Sequence, residues 1–292
     1  MIGELFIDQL EAVLRLVGVF LVAKQQACDS KNGKNGYGEI VTSEDILTQT
    51  YVYFVLKKWL PESLVVGEEQ IPDSLTDFQF KALLDDVDPN RLYLNENDYV
   101  HGAKIDCLTT FPDDLKARLY WVIDPIDGSN NYSHGKDDFA VVVALMLGRS
   151  VHLGMSYMPR AGYLLSACGS SVRVRHHFSV SLKPYDETAI KLAFGLGKRQ
   201  PTEVRSAFSA LVQKTDGAAQ RFGCMSKSVL ALLIGDIDAY VSLKEEAFKF
   251  LALWLIATNA GLKINPTSDP SVLSFTRPFR PLSRLRVLPA ST

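Results

Sequence analysis

Apolar residues at Leu5, Phe6, Leu10, Val13, Leu14, Val17, Phe20 and Leu21 recur at three- and four-residue spacing. That period predicts a helix with one wide buried face. Glu4, Asp8, Glu11 and Arg15 interrupt the pattern, and no apolar run reaches the ~20 residues that span a bilayer. An intact helix, and neither a signal peptide nor a membrane anchor, is expected. Residues 29–38 are polar and glycine-rich and predict a mobile loop. Thr42 then precedes Asp45 at capping-box spacing, and Ile46, Val52, Tyr53, Leu56, Trp59 and Leu60 carry a second helix to Pro61. A short strand over 64–66 ends in Gly67-Glu68-Glu69.

Residues 70–118 are rich in Asp, Pro and Asn with short helical fragments, and are read as an insertion or a mobile flap. A strand over 120–123 is expected to stop at Asp124-Pro125. Runs over 139–147, 151–158 and 163–167 are β-rich with turn signals between them, which predicts an antiparallel sheet. After about Pro184 the pattern alternates: strand 192–194, helix 204–214, helix 226–234, strand 239–243, helix 246–260. The change divides the chain into an N-terminal α+β domain, 1–183, holding the insertion at 70–118, and a C-terminal α/β domain, 184–292.

Composition adds exclusions. The chain has 292 residues, 47% hydrophobic, with a formal net charge of −2, so it can bury a full core. The near-neutral charge offers nothing to attract nucleic acid or an anionic membrane. Cys28, Cys107, Cys168 and Cys224 are widely spaced with no CxxC pair, as expected of reduced thiols in a cytoplasmic protein.

The strongest chemical signal is Asp124-Pro125-Ile126-Asp127-Gly128-Ser129-Asn130-Asn131-Tyr132. Two carboxylates three residues apart at the end of an apolar strand can converge on a hard cation. Pro125 fixes the backbone between them, Gly128 permits a tight turn, and the amides after it can form an anion-binding nest. Carboxylates for a cation beside a nest for phosphate suit phosphoryl transfer. Alone, Gly67-Glu68-Glu69 reads as solvated glutamates, Thr42 with Asp45 as a helix cap, and Arg221-Phe222-Gly223-Cys224 leading to Gly235-Asp236-Ile237-Asp238-Ala239-Tyr240 as a generic helix, turn and strand.

In this order, from about residue 40 to 262, the motifs resemble the inositol monophosphatase superfamily of magnesium-dependent phosphatases. The resemblance implies an α+β / α/β fold, the layered αβαβα sandwich of the sugar phosphatases. It implies magnesium held by Glu68, Asp124, the Ile126 carbonyl and Asp127. By the same resemblance Asp45 with Ser129 orients the attacking water, and Glu68 belongs to the catalytic set. The amides of Gly128 and Ser129 would bind phosphate. A homodimer acting on a small phosphorylated substrate is expected. Asn131-Tyr132 is closer to the inositol-phosphatase form of the motif than to that of the bisphosphate nucleotidases.

Three departures stand out. Counting back from Asn259-Ala260-Gly261, the family's last metal-binding aspartate falls on Lys249. Leu251-Ala252-Leu253 replaces a run of small residues, and Cys224 replaces a serine. An ammonium ~4 Å from magnesium would be repelled by roughly 8 kcal/mol at an effective dielectric of about 20. The lysine therefore replaces a cation, loses its proton, or points away while Glu245 or Glu246 substitutes. Two functions follow: a magnesium-dependent phosphomonoesterase acting on a small sugar, inositol or nucleotide phosphate through metal-activated water, with the usual ions or fewer; or a repurposed or catalytically silent relative that binds a phosphorylated ligand or a protein partner.

Overall fold

The structure is a computed structural model that describes residues 3–27, 33–34, 40–99, 104–111, 118–176, 191–196, 206, 219–243, 247–266, 272–276 and 285–289. Helix α1, Glu4–Ala27, buries Leu10, Val13, Leu14, Val17 and Leu21 completely. Leu5, expected on that face, is 73% exposed, whereas Ile7 is buried. At 3.6 residues per turn, Leu5 lies about 130° round the helix from the middle of the buried stripe. A short hairpin, β1 (Gly33–Lys34) and β2 (Ile40–Val41), precedes α2, Ser43–Trp59. The other residues of the expected loop over 29–38 lie outside the described ones. No helix among the described residues is long and apolar enough to cross a membrane.

Among the described residues, eight strands form the main sheet. They are β3 (Leu64–Gly67), β4 (Cys107–Leu108), β5 (Leu119–Asp127), β6 (Ala140–Leu147), β7 (Ser150–Met158), β8 (Tyr163–Cys168), β9 (Ser171–His176) and β15 (Leu285–Pro289). Their order is β15-β9-β8-β7-β6-β5-β3-β4. The meander β5 to β9 is antiparallel, as the turn signals predict, whereas β3 runs parallel to both β4 and β5. Both faces are covered, so the apolar runs are continuous. Trp121, Ile123, Val141, Val143 and Leu145 join the core beneath α1 and α2, while Tyr120, Val122, Val142, Ala144 and Met146 join a second core on the other face.

The second core holds α5 (Met225–Ile234; α4 is described with the site) and α6 (Ala247–Ala260), sandwiched against a smaller sheet. That sheet comprises β10 (Leu192–Leu196), β11 (Ala219–Gln220), β12 (Ala239–Leu243), β13 (Lys263–Pro266) and β14 (Val272–Thr276), in the order β11-β10-β12-β14-β13. Alternating layers of helix and sheet give the mixed αβ sandwich expected. The helix predicted over 204–214, which would lie in this half, falls almost wholly outside the described residues. Gly154 on β7 admits α6 closely: a Cβ there would stand 2.6 Å from the Ala252 carbonyl oxygen. Leu253, one of the bulkier residues that replace the small run, is fully buried in the second core.

Of the two readings of 70–118, an insertion or a mobile flap, the packing of residues 71–99 favours the first. Helix α3, Asp77–Val87, starts at a capping box of Thr76 with Gln79 and buries Phe80, Leu83, Leu84 and Val87 in the first core. Asp88, fully buried, then accepts from the Tyr51 hydroxyl (2.9 Å) and the amides of Leu92, Tyr93 and Leu94 (2.8, 3.0 and 3.3 Å). Contrary to expectation, β5 does not stop at Asp124. It continues to Asp127 through a register shift against β6, between Asp124 and Asp127, because Pro125 offers the ladder no N–H.

Candidate active site

Strand register builds one side of the site. Gly67 of β3 lies opposite Ile123 of β5, and the Glu68 amide donates to the Ile123 carbonyl at 3.0 Å. Glu68 therefore leaves the sheet beside Asp124. Helix α2 brings Asp45 to the same end. One turn after Asp45 on the same face, Gln49 clasps the Glu69 backbone, with Nε2 donating to the carbonyl at 2.6 Å and Oε1 accepting from the amide at 2.9 Å. A Cβ on Gly67 would collide with the Gln49 side chain, so this approach needs the glycine.

Asp45 is 1% exposed and completes the expected capping box. Its Oδ2 accepts from the Thr42 amide at 2.8 Å and the Thr42 hydroxyl at 2.7 Å. Burial pushes its carboxyl from 3.8 up to about 7; the Thr42 hydrogen bonds oppose this, and the charges of Glu68 and Glu44 add to it. Glu44, Glu69 and Asp124 are also buried, and Glu68 is half-buried.

The nine-residue motif turns at Gly128, whose φ of +94° and ψ of 34° open the short helix α4, Ser129–Ser133. A Cβ there would stand 2.9 Å from the Asp138 carbonyl oxygen, so geometry and space both require glycine. The Ser129 hydroxyl donates to the Ile126 carbonyl at 2.9 Å, so the residue expected to orient water and the carbonyl expected to bind metal engage each other. Asn131 Nδ2 donates to the carbonyls of Asp138 and Phe222, both at 2.7 Å, and the Tyr132 hydroxyl reaches Leu21 of α1 at 3.1 Å.

Asp127 faces elsewhere. Its Oδ1 accepts from the Met225 amide at 3.1 Å, and its Oδ2 from the Ser226 amide at 2.7 Å and the Cys224 thiol at 3.3 Å. Burial pushes the Cys224 thiol well above its usual range, with the Asp127 charge next in effect, so the sulfur stays a donor.

The donors suit magnesium unevenly. At the Glu68 end, like charges raise one another's cost, and a cation would relieve it. At Asp127 three donors take three of roughly four lone-pair directions, so it is less suited to a further ion than the carboxylates at the Glu68 end. Among the described residues no group of three or more His, Cys, Asp or Glu side chains is gathered as a ligand cluster. The α6 backbone is described through Lys249, but that side chain, like Glu245 and Glu246, lies outside the described residues.

Two parallel strands ending in Gly67-Glu68 and Ile123-Asp124, beside a glycine turn into a helix, sit within a layered sandwich of mixed αβ class. The chain belongs to the inositol monophosphatase family, whose model matches residues 9–278. It is 25% identical to an inositol-1-monophosphatase of Bacillus subtilis over 226 residues, 71% of this chain and 82% of the relative. It is 24% identical over 273 residues to a fructose-1,6-bisphosphatase/inositol-1-monophosphatase of Thermotoga maritima, covering 91% and 87%. A solved IMPase structure from Thermotoga maritima superposes with a TM-score of 0.66 at 18% identity, over 94% of this chain and 92% of the other.

Sequence reasoning missed Gln49, the Phe222 partner of Asn131 and the partners of Asp127. Gln49 was within reach, since it lies four residues after Asp45 on a helix. The others are pairings across about ninety residues or more, and spacing carries no trace of that.

Proposed function

We propose that this chain hydrolyses a small phosphate monoester, of a sugar, an inositol or a nucleotide, with magnesium held by Glu68 and Asp124. The observations that support it are the register that sets Gly67, just before Glu68, opposite Ile123, just before Asp124, and the Glu68 charge felt by the buried carboxyl of Asp45. A bound divalent cation would neutralise phosphate charge and favour ionisation of water. The chain's own part is proton handling and placement. Asp45, whose carboxyl burial raises to about 7 in the metal-free chain, is the group proposed to take a proton from water. The amides of Gly128 and Ser129, at the turn into α4, are the proposed seat of the phosphate. A homodimer is part of the same reading, and sedimentation should give twice the 32.4 kDa chain mass.

The test is phosphate release from a panel of sugar, inositol and nucleotide monophosphates, with magnesium and with chelator. Magnesium-dependent turnover of at least one member is expected, with a loss of at least 100-fold in Asp124→Asn. The engagement of Asp127 with α5 favours a second reading, a silent relative that binds phosphate esters without turning them over. Saturable binding of a panel member without phosphate release would favour that reading over hydrolysis.

A further inference from the structure

Helix α5 begins with a deficit. Its N-cap residue, Cys224, makes no side-chain capping bond, and the first helical amides lack intrahelical acceptors. Met225 is 5% exposed and Ser226 fully buried, so water cannot readily serve them. A carboxylate nearly a hundred residues earlier in the chain meets the need. Asp127 takes the Met225 amide on one oxygen and the Ser226 amide on the other, with the Cys224 thiol on the second oxygen as well. Its negative charge stands at the positive end of the helix dipole.

The surrounding contacts hold this arrangement in place. Asn131 binds the Phe222 carbonyl, and a Cβ on Gly128 would meet the Cys224 Cβ at 3.2 Å. A Cβ on Gly223, itself at φ +71°, would stand 3.0 Å from the Asn131 Oδ1. The α4 turn and the start of α5 thus form one stitched unit, with Asp127 turned into the seam.

We infer that Asp127 is a positioning residue, the capping group of α5, and does not hold a second divalent cation, so that the protein binds one such ion per chain. The helix amides supply the positive charge that a further cation would otherwise provide. The inference about ion number rests on the proposed function for the first ion, whereas the capping role needs no ion.

The capping role is tested on the full chain in chelator. Asp127→Ala should lower the Tm by roughly 4–8 °C, and Asp127→Asn, which keeps one acceptor, by less. Cys224 already has extended N-cap backbone, with φ −143° and ψ 125°. Adding Cys224→Asp to either variant supplies a local cap and should return at least half of the lost Tm. A carboxylate that served only a metal would give neither the loss in chelator nor the rescue. If Asp127→Ala fails to fold, Asp127→Asn with and without Cys224→Asp gives the same reading.

The ion number is tested by magnesium calorimetry. Wild type and Asp127→Asn should each bind one ion. Two ions in wild type, fewer in Asp127→Asn than in wild type, or an unchanged Tm in chelator would overturn the inference. Wild type binding no magnesium would instead overturn the proposed cation, while the chelator melts would still decide the capping role.

Discussion

Asp45 shows how much one side chain can carry. Thr42 and Asp45 are three residues apart, so their capping box is legible from spacing alone. Its consequence is not, because burial of Asp45 depends on Glu68 and the sheet arriving from elsewhere. With its carboxyl raised from 3.8 to about 7, the native chain keeps a proton there that the unfolded chain gives up. That contribution is intact below the unfolded value and is lost as pH climbs through about 7. Its full size is on the order of 4 kcal/mol. In chelator, urea unfolding of wild type should therefore show this stability draining between pH 4 and 7. Asp45→Asn should flatten the profile over that window. Glu11, raised by burial despite Arg175, adds a slope of the same sign in both proteins. An identical pH profile in wild type and Asp45→Asn would contradict the buried, proton-holding carboxyl.

At the scale of elements, periodicity located α1, α2, α5, α6 and the meander β6 to β8 within a few residues. It failed where polar residues are structural. The stretch 70–99 reads as loop because Asp, Pro and Asn are counted as solvated, yet Asp88 is fully buried with four donors converging on its carboxylate. Removing that acceptor would leave three backbone amides and the Tyr51 hydroxyl without it. Asp88→Ala should cost about 3 kcal/mol in urea unfolding. Hydrogen exchange at Leu92, Tyr93 and Leu94 should accelerate together. A loss under about 0.5 kcal/mol, the size of an ordinary surface change, would mean the segment is anchored by α3 alone. The extension of β5 to Asp127 escaped notice for a related reason: Pro125 signals a stop, but a register shift lets the strand resume.

The whole molecule depends on pairings far apart in sequence. β15 lies parallel to β9 at one edge of the main sheet, with Leu285 opposite Val172 and Pro289 opposite His176. No local pattern announces such a partner. The layered architecture was nonetheless legible, because the nine-residue motif and its neighbours occur in the family's order. Which carboxylates share a cation was less so. Register places Glu68 and Asp124 side by side, and tertiary packing turns Asp127 to α5. The most direct test of this division is a magnesium titration by calorimetry of wild type and Asp124→Asn at pH 7.5. One saturable ion per chain in wild type, lost in Asp124→Asn, is the expected result. No binding by wild type, or binding unchanged by Asp124→Asn, would contradict it.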